Sequence, residues 1–330
     1  YDDLRELLST EELSLLTIHY GLATSNTSTE QEPYTIHRTK QLPSDKTKQW
    51  NSLKEKLYLV RNQRIRPERD EKIILQWNAL AISGLCHAYR ATGQKRYLEL
   101  ATTAYNSLKK HLYQNGKWYR SYTNEQLGEQ AFLSDLSALN EAKLDLFDSN
   151  FELDHLLEAG QNIDQIISTF ERPPGQVFPR VPPLRNELPV QTLDIYDNAL
   201  PSGNSQMVSL LRRFSAITGQ AKYQKIAKEI SAALVEKVVQ YPESFAGFGR
   251  QIVLLERDER CLVLSGPGAL QIAKDINPVY YPDLGVILAT SSMERLPILL
   301  GKHSPDELKF YLCENQTCRL PVSYLEALNL

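Results

Sequence analysis

Two acids and a run of turn-forming residues crowd the segment LDIYDNALPSGNS, directly before an apolar helical pattern begins near Pro201. In one interpretation, Ser202 or Asn204 accepts hydrogen bonds from the first N–H groups of that helix. In the other, the helix N-terminus and the carboxylates of Asp194 and Asp197 form the floor of a polar pocket. The residues alone leave both interpretations open.

A second polar cluster, RPERDEKIILQWNAL, also stands directly before an apolar helical run. It contains Asp70, Lys72, Trp77 and Asn78. Carboxylates and amides beside an aromatic ring are typical of a sugar site, because the polar groups bind hydroxyls and the ring covers the C–H surface. The alternative is an ion-pair network in which Arg66 helps to lock the loop.

The elements that must position these clusters form an internal repeat. The segments ATGQKRYLELA and ITGQAKYQKIA align with an offset of 126 residues, and LFDSNFELDHLLEA is a weaker copy 58 residues after the first. Each copy spans the turn of a helical hairpin, and hairpins at a period near 60 residues indicate an α/α solenoid or a closed toroid. The same offset pairs other residues of the hairpins: Asn78 with Asn204, Ser83 with Ser209, and Leu85 with Leu211.

The repeat predicts a mainly α fold in which residues 72–240 form antiparallel helical hairpins. The inner helices are expected to begin near Trp77 and Pro201. We expect the loops before these helices to converge, so that Asp70, Asn78, Asp197 and Asn204 surround one cavity. The offset supports this grouping, since each asparagine follows an acid by seven or eight residues.

Outside the hairpins, the pattern changes. A helix is expected from Leu4 to Gly21, followed by a Ser/Thr/Asn-rich surface loop or linker. Short apolar runs at 261–266, 285–290 and 309–315 predict β-strands of a small α/β appendage. The predicted organisation is an N-terminal helix and flexible linker (1–45), a hairpin toroid region (46–258) and an α/β C-terminal segment (259–330).

Composition limits the function classes. The 330 residues carry a formal charge of −3, which argues against nucleic-acid or anionic-membrane partners. No window is apolar and long enough for a membrane span, and a cytoplasmic protein is expected. Cys86 and Cys261 are expected in the core. Cys313 and Cys318 suit a local disulfide or two inert thiols rather than a zinc site.

Three segments, RPERDEKIILQWNALAISGL, YDNALPSGNS and FYLCENQTCRLPV, resemble in order and spacing the C-terminal region of the spermatogenesis-associated-protein-20-like family. The resemblance implies a thioredoxin-like domain fused to a six-hairpin (α/α)6 toroid, related in fold to N-acylglucosamine 2-epimerases and six-hairpin glycosidases. It also implies that the chain starts midway through the ring, so that the toroid is incomplete. Matching positions include Asp70, Lys72, Trp77, Asn78, Asp197, Ser202 and Asn204. His87 and His155 lie in helix interiors and match no catalytic motif.

Two functions remain open. The first is a carbohydrate-binding or carbohydrate-active toroid, hydrolase or epimerase-like, whose acids protonate a leaving group, activate water or abstract a proton from a sugar carbon. The second is a non-catalytic toroid that presents a ligand or client to a thioredoxin-like domain of a longer chain or a partner. No metal site and no cofactor are expected. The candidate catalytic residues are Asp70, Asp135, Asp194 and Asp197, and the candidate binding residues are Lys72, Trp77, Asn78, Tyr196, Ser202 and Asn204.

Overall fold

The computed structural model describes residues 2–20, 37–183, 192–276, 278–279, 281–291 and 296–324. The predicted N-terminal linker lies largely outside these residues. The chain divides into two compact units, residues 1–70 and 71–330. Among the described residues, no helix has the length and apolar character to cross a membrane.

The described residues of the first unit form three α-helices, α1 (Asp2–Leu7), α2 (Thr10–Tyr20) and α3 (Thr47–Asn62). The prediction of a single helix from Leu4 to Gly21 is wrong, because α1 ends at Leu7 and a second helix begins after Ser9. There Ser9 Oγ accepts from Glu12 N, and the Glu12 carboxylate accepts from Ser9 N, which is a capping box.

The second unit is built on three helical hairpins, as the repeat predicts. Their helices are α4 (Leu75–Thr92) with α5 (Lys95–Leu112), α6 (Leu133–Asn150) with α7 (Leu153–Thr169), and α8 (Gly203–Thr218) with α9 (Ala221–Gln240). Each hairpin turns on a residue with left-handed backbone: Gly93 (φ 68°), Phe151 (φ 60°) and Gly219 (φ 73°). The predicted starts of the inner helices near Trp77 and Pro201 are confirmed.

The inner helices α4, α6 and α8 pack side by side, and α10 (Ala246–Leu255) continues the row beside α8. Almost every residue of α6 and α8 is buried, since these helices have neighbours on both sides as well as an outer helix behind them. The outer helices α5, α7 and α9 bury only one stripe each. The faces of α4, α6, α8 and α10 that point away from the outer helices form a concave wall, which lines the cavity described below.

Five short strands, which the sequence pattern did not predict, lie directly before α4 and between α5 and α6. They are β1 (Ile73–Ile74), β2 (Tyr113–Gln114), β3 (Lys117–Trp118), β4 (Ser121–Thr123) and β5 (Gln126–Leu127). Strand β4 pairs with β1 and β5, all antiparallel. This pairing holds the start of α4 beside the chain that leads into α6.

The C-terminal part is a four-stranded sheet of order β7-β6-β8-β9. Its elements are β6 (Arg260–Ser265), α11 (Ala269–Ile276), β7 (Leu284–Leu288), β8 (Lys309–Glu314) and β9 (Thr317–Cys318). Strand β6 runs parallel to β7 and antiparallel to β8. The predicted fold class, mainly α hairpins with a small C-terminal α/β part, is confirmed. The three-part division of the chain stays a prediction.

The cysteines follow the sequence interpretation. Cys86 and Cys261 are buried free thiols, and burial raises the pKa of Cys86 to about 12, so its thiol stays protonated and inert. Cys313 and Cys318 are joined by a disulfide across the β8–β9 pair. Of the two alternatives for this pair, the local disulfide is the one that the structure contains.

Candidate functional site

The predicted acids of the second unit hold backbone at the N-terminus of α8. Ser202 caps the helix by accepting from Ser205 N at 3.2 Å. The Asp194 carboxylate accepts from Gly203 N at 3.0 Å, and Asp197 accepts from Ser202 N at 2.8 Å. These bonds satisfy N–H groups that a helix start leaves without an intrahelical partner. The capping interpretation of this segment is thus confirmed.

Asp197 and Asn204 also tie neighbouring segments to α8. Asp197 accepts from Ser205 Oγ at 3.0 Å and from Gly247 N, in the first turn of α10, at 2.6 Å. The buried Asn204 amide donates to Phe178 O and accepts from Phe178 N, both at 2.9 Å. The polar atoms of these two side chains are engaged within the protein.

Asp135 lies at the corresponding end of α6 and is fully buried. Its carboxylate accepts from Phe132 N at 2.8 Å and from Arg120 Nε at 3.0 Å. Burial raises its pKa, although both partners oppose the shift. Burial likewise raises the pKa of Asp194, against the Gly203 N–H and the positive charge of Arg180. Asp194 thus holds a helix N–H, and Asp135 uses only Oδ2 in its two bonds, since its Oδ1 is buried without a hydrogen-bond partner among the described residues.

The other predicted residues have separate surroundings. Asn78 donates to Ile74 O of its own helix at 2.8 Å. Trp77 and Tyr196 are about half exposed, at 60% and 52%. Asp70 ends the first unit and Lys72 belongs to the second, so the predicted grouping of Asp70 with the α8 residues stays a prediction.

A cavity of about 610 Å³ lies deeper in the second unit, against the inner faces of α4, α6, α8 and α10 and the chain segment leading into β7. The predicted site residues of this unit do not line it. Asp197 borders it indirectly, because its partners Ser205 and Gly247 are lining residues. The capping network therefore braces one end of the cavity.

The cavity lining follows the sequence repeat. Positions in α4, α6 and α8 that differ by the offsets of 58 and then 68 residues, 126 in all, meet on the concave wall. Three such sets of equivalent residues line the cavity: Ser83, Glu141 and Ser209; His87, Asp145 and Arg213; and Arg90, Asp148 and Ala216.

Arg213 is the centre of an ion-pair cluster in this lining. Its guanidinium binds Glu141, Asp145 at 2.8 Å and Asp148 at 2.9 Å, all on α6. From α4, Arg90 lies 3.4 Å from Asp148. These acids stand between the cations of two flanking helices, so the cluster links all three inner helices.

His87 completes the cluster. Its Nε2 lies 3.2 Å from Asp145 Oδ1, and its side chain is 60% exposed. Burial by itself would raise the pKa of Asp145, but Arg213, His87 and Arg90 hold it well below the usual range. Asp145 is thus a carboxylate at neutral pH.

The wall formed by α8 and α10 carries further polar groups. Arg212 is buried, and its Nε donates to Gln251 Oε1 at 3.4 Å. Arg250 lines the same wall. Gln206 Oε1 is buried without a hydrogen-bond partner among the described residues. The chain segment leading into β7 contributes apolar surface from Val279, Tyr281, Pro282 and Leu284.

Among the described residues, no group of three His, Cys, Asp or Glu side chains is arranged to hold a metal ion. The acids of the cavity bind Arg213 instead. The lining offers hydrogen-bond donors, acceptors and charges together with apolar surface.

The sequence interpretation missed this lining. One available signal was Glu141, Asp145 and Asp148, which fall on one face of α6 by helical spacing. Another was the pair Arg212 and Arg213 within an otherwise uncharged helix. Extending the offsets of 58 and 126 inward from the hairpin turns would also have reached these positions.

The fold and the cavity define a protein of helical hairpins with a polar concave interior. No family model matches the chain. The chain is 27% identical over 296 residues to spermatogenesis-associated protein 20 of Homo sapiens, covering 83% of this chain and 37% of that protein. The Mus musculus protein of the same name is 26% identical, with 82% and 37% covered. The predicted resemblance to this family is confirmed, and the chain spans less than half the length of these relatives.

Solved structures with a similar arrangement include a sugar epimerase from a ruminal bacterium, with a TM-score of 0.41, 16% identity, and 56% of this chain and 54% of that chain covered. A family 105 glycoside hydrolase of C. acetobutylicum also has a TM-score of 0.41 and 16% identity, with 58% and 59% covered. Likeness at this level says nothing about the ligand of this chain.

Proposed function

We propose that the second unit binds a carbohydrate-like small molecule in the cavity. The observation that carries this proposal is the mixed lining, which combines polar side chains of the inner helices with Tyr281 and its apolar neighbours. A sugar presents hydroxyls around its ring edge and C–H groups on its faces, so it suits a lining of this kind.

The size of the cavity agrees with this ligand class. Its volume of about 610 Å³ falls within the roughly 300–1,000 Å³ of small-molecule sites. Ser83, Ser209 and Gln206 supply neutral groups that can both donate and accept hydrogen bonds. These groups can pair with hydroxyls without a cofactor.

The geometry favours binding over acid/base catalysis. Hydrolysis requires one carboxyl group that can give a proton and a second that can attack or activate water. Asp135 pairs with Arg120, Asp194 and Asp197 hold backbone amides, and the acids of α6 bind Arg213. The engagement of these acids supports the second predicted function, in which a non-catalytic toroid presents a ligand to a thioredoxin-like domain. That partner remains part of the proposal.

A binding screen with a cavity-filling variant tests the proposal. Neutral and charged mono- and disaccharides are titrated by calorimetry into the wild-type chain and into Ser209→Trp. Ser209 lines the cavity, so the indole should abolish binding. Ser107→Trp, on the exposed face of α5, is the matched control and should bind as the wild type does. Circular dichroism checks that both variants are folded.

Two results would contradict the proposal. One is a wild-type chain that binds no saccharide of the panel. The other is a folded Ser209→Trp variant that binds as tightly as the wild type, which would place the ligand elsewhere.

A further inference from the structure

Arg212 is a buried cation without a dedicated counterion. Its side chain is a cavity-lining group on α8, and the residue is only 4% exposed. Its one hydrogen bond to a described residue is the contact from Nε to neutral Gln251, and no ion pair joins it to a described carboxylate. A buried charge of this kind is costly unless another group compensates it.

The charges around Arg212 do not compensate it. Arg213 on its own helix and Arg250 on α10 are positive and, together with burial, lower the pKa of Arg212. Glu141 on α6 acts in the opposite direction, but its carboxylate already binds Arg213. This part of the wall has an excess of positive charge.

Glu259 is the remaining acid near Arg212, and it is a weak counterion. It precedes β6 and is buried, and burial raises its pKa to about 7 despite the charge of Arg212. A large fraction of this carboxyl is therefore protonated at neutral pH. An anion that enters the cavity would meet Arg212 and Arg250 without displacing a strong internal partner.

We propose that the ligand of this cavity is acidic, and that its carboxylate or phosphate group binds between Arg212 and Arg250. This inference rests on the proposed carbohydrate-binding function and narrows it to sugar acids or sugar phosphates. Guanidinium groups suit both anions, because their N–H donors match two oxygens of one group. Gln251 lies beside the two arginines, and Gln206 offers an acceptor for a ligand hydroxyl.

The test compares matched neutral and acidic ligands. Glucose is paired with glucuronate and with glucose 6-phosphate, galactose is paired with galacturonate, and inorganic phosphate and acetate are included as bare anions. Each is titrated into the 330-residue chain at low and high salt. We expect an acidic sugar to bind at least about tenfold more tightly than its neutral counterpart, a preference that salt weakens. Comparing the affinities for the sugar carboxylates with the affinity for glucose 6-phosphate shows which anion the site prefers.

The variant Arg250→Gln tests whether the arginines, rather than the other lining residues, cause the preference for acidic sugars. Arg250 is exposed, so its replacement should leave the fold intact. It should remove most of the preference for the acidic sugar, so that the affinity for the acidic sugar falls far more than the affinity for the neutral sugar. Arg64→Gln, an exposed position of the first unit, is the control. Arg212→Gln should have the same effect on binding. Because Arg212 is buried, the melting temperature of this variant is measured as well, to show that it is folded.

The outcomes distinguish this inference from the proposed function. If neutral sugars bind as tightly as acidic ones, or if Arg250→Gln keeps the preference, the anion site is overturned while carbohydrate binding stands. If only inorganic phosphate or acetate binds, and does so through Arg250, the anion site stands and the carbohydrate function fails. If nothing binds, both are overturned.

Discussion

Asp197 is the residue whose role the structure defines most closely. Its carboxylate accepts hydrogen bonds from Ser202 N, Ser205 Oγ and Gly247 N. The first two lie at the start of α8 and the third lies in α10. A carboxylate suits this position because every one of its partners is a donor.

Replacing Asp197 with asparagine should destabilise the protein. The asparagine Nδ2 group would face an N–H donor, so at least one hydrogen bond is lost and one donor is left without an acceptor. We expect the free energy of unfolding to fall by about 1–3 kcal/mol, measured by urea denaturation. Asp306→Asn, at an exposed loop position, should have no measurable effect. Unchanged stability together with lost saccharide binding would assign Asp197 to the ligand instead.

At the residue scale, the sequence identified the residues that hold the start of α8. It did not decide between capping and ligand binding as their role. Asp, Asn and Ser at a helix start serve equally well as caps or as ligand contacts. The choice depends on whether other segments bring N–H groups to them. Gly247 lies 50 residues from Asp197 in the sequence, so their contact could not be predicted from the residues around Asp197.

At the scale of elements, the hairpin turns provide a matched pair of glycines. Gly93 and Gly219 are repeat equivalents, and both have left-handed backbone. A β-carbon on Gly93 would meet nothing within 4 Å, whereas one on Gly219 would lie 2.9 Å from Ile298 N. The two turns therefore share a backbone conformation and differ in what packs against them.

Alanine substitutions at Gly93 and Gly219 should distinguish the cost of backbone strain from the cost of a steric contact. Gly93→Ala is expected to cost about 1 kcal/mol, because a residue with a β-carbon is strained at this φ. Gly219→Ala should cost at least about twice as much, since the backbone near Ile298 must also move. Chemical denaturation of both variants provides the comparison. Equal losses would show that the contact near Ile298 yields without cost.

The hairpins could be predicted because their turns and outer helices keep similar residues. The short strands β1–β5 could not, because they are only two or three residues long and depend on pairing between distant segments. The cavity lining was missed for a related reason. Its polar residues lie within helices that are buried on their other sides, where periodicity alone does not show which face is open.

For the whole molecule, the Arg213 cluster couples the inner helices of the second unit. Burial alone would raise the pKa of Asp145, and Arg213 is the first of the neighbours that lower it. A carboxyl whose pKa is lower in the folded state contributes stability at pH values above its usual pKa. That stability is lost as the pH falls through the folded-state value.

Arg213→Met should therefore destabilise the protein in a pH-dependent way. At pH 7 the variant leaves the acids of α6 buried without their main cation, at a cost of about 3–5 kcal/mol. The loss should shrink as the pH falls, beginning above the usual carboxyl pKa of about 4, because burial without Arg213 raises the pKa of these carboxyls and they take up protons. Urea denaturation between pH 3 and pH 8 gives the profile.

The adjacent residue supplies the control. Arg212→Met removes a buried cation that has no ion pair, so its stability should stay close to that of the wild type or exceed it. A pH-independent loss in Arg213→Met, or equal losses in the two variants, would show that packing rather than the ion pairs decides the result.

The repeat-equivalent sets of the cavity have a consequence for how a chain of this kind diverges after duplication of a hairpin. His87, Asp145 and Arg213 are equivalent positions, and Asp145 contacts both of the other two directly. Identical hairpins would place three identical side chains at this point, and three like charges in a partly enclosed space repel strongly. Duplicated copies must therefore become different on the inside while their outer turns remain alike. The similarity that reveals the hairpins in the sequence is thus expected to fade where the ligand would bind.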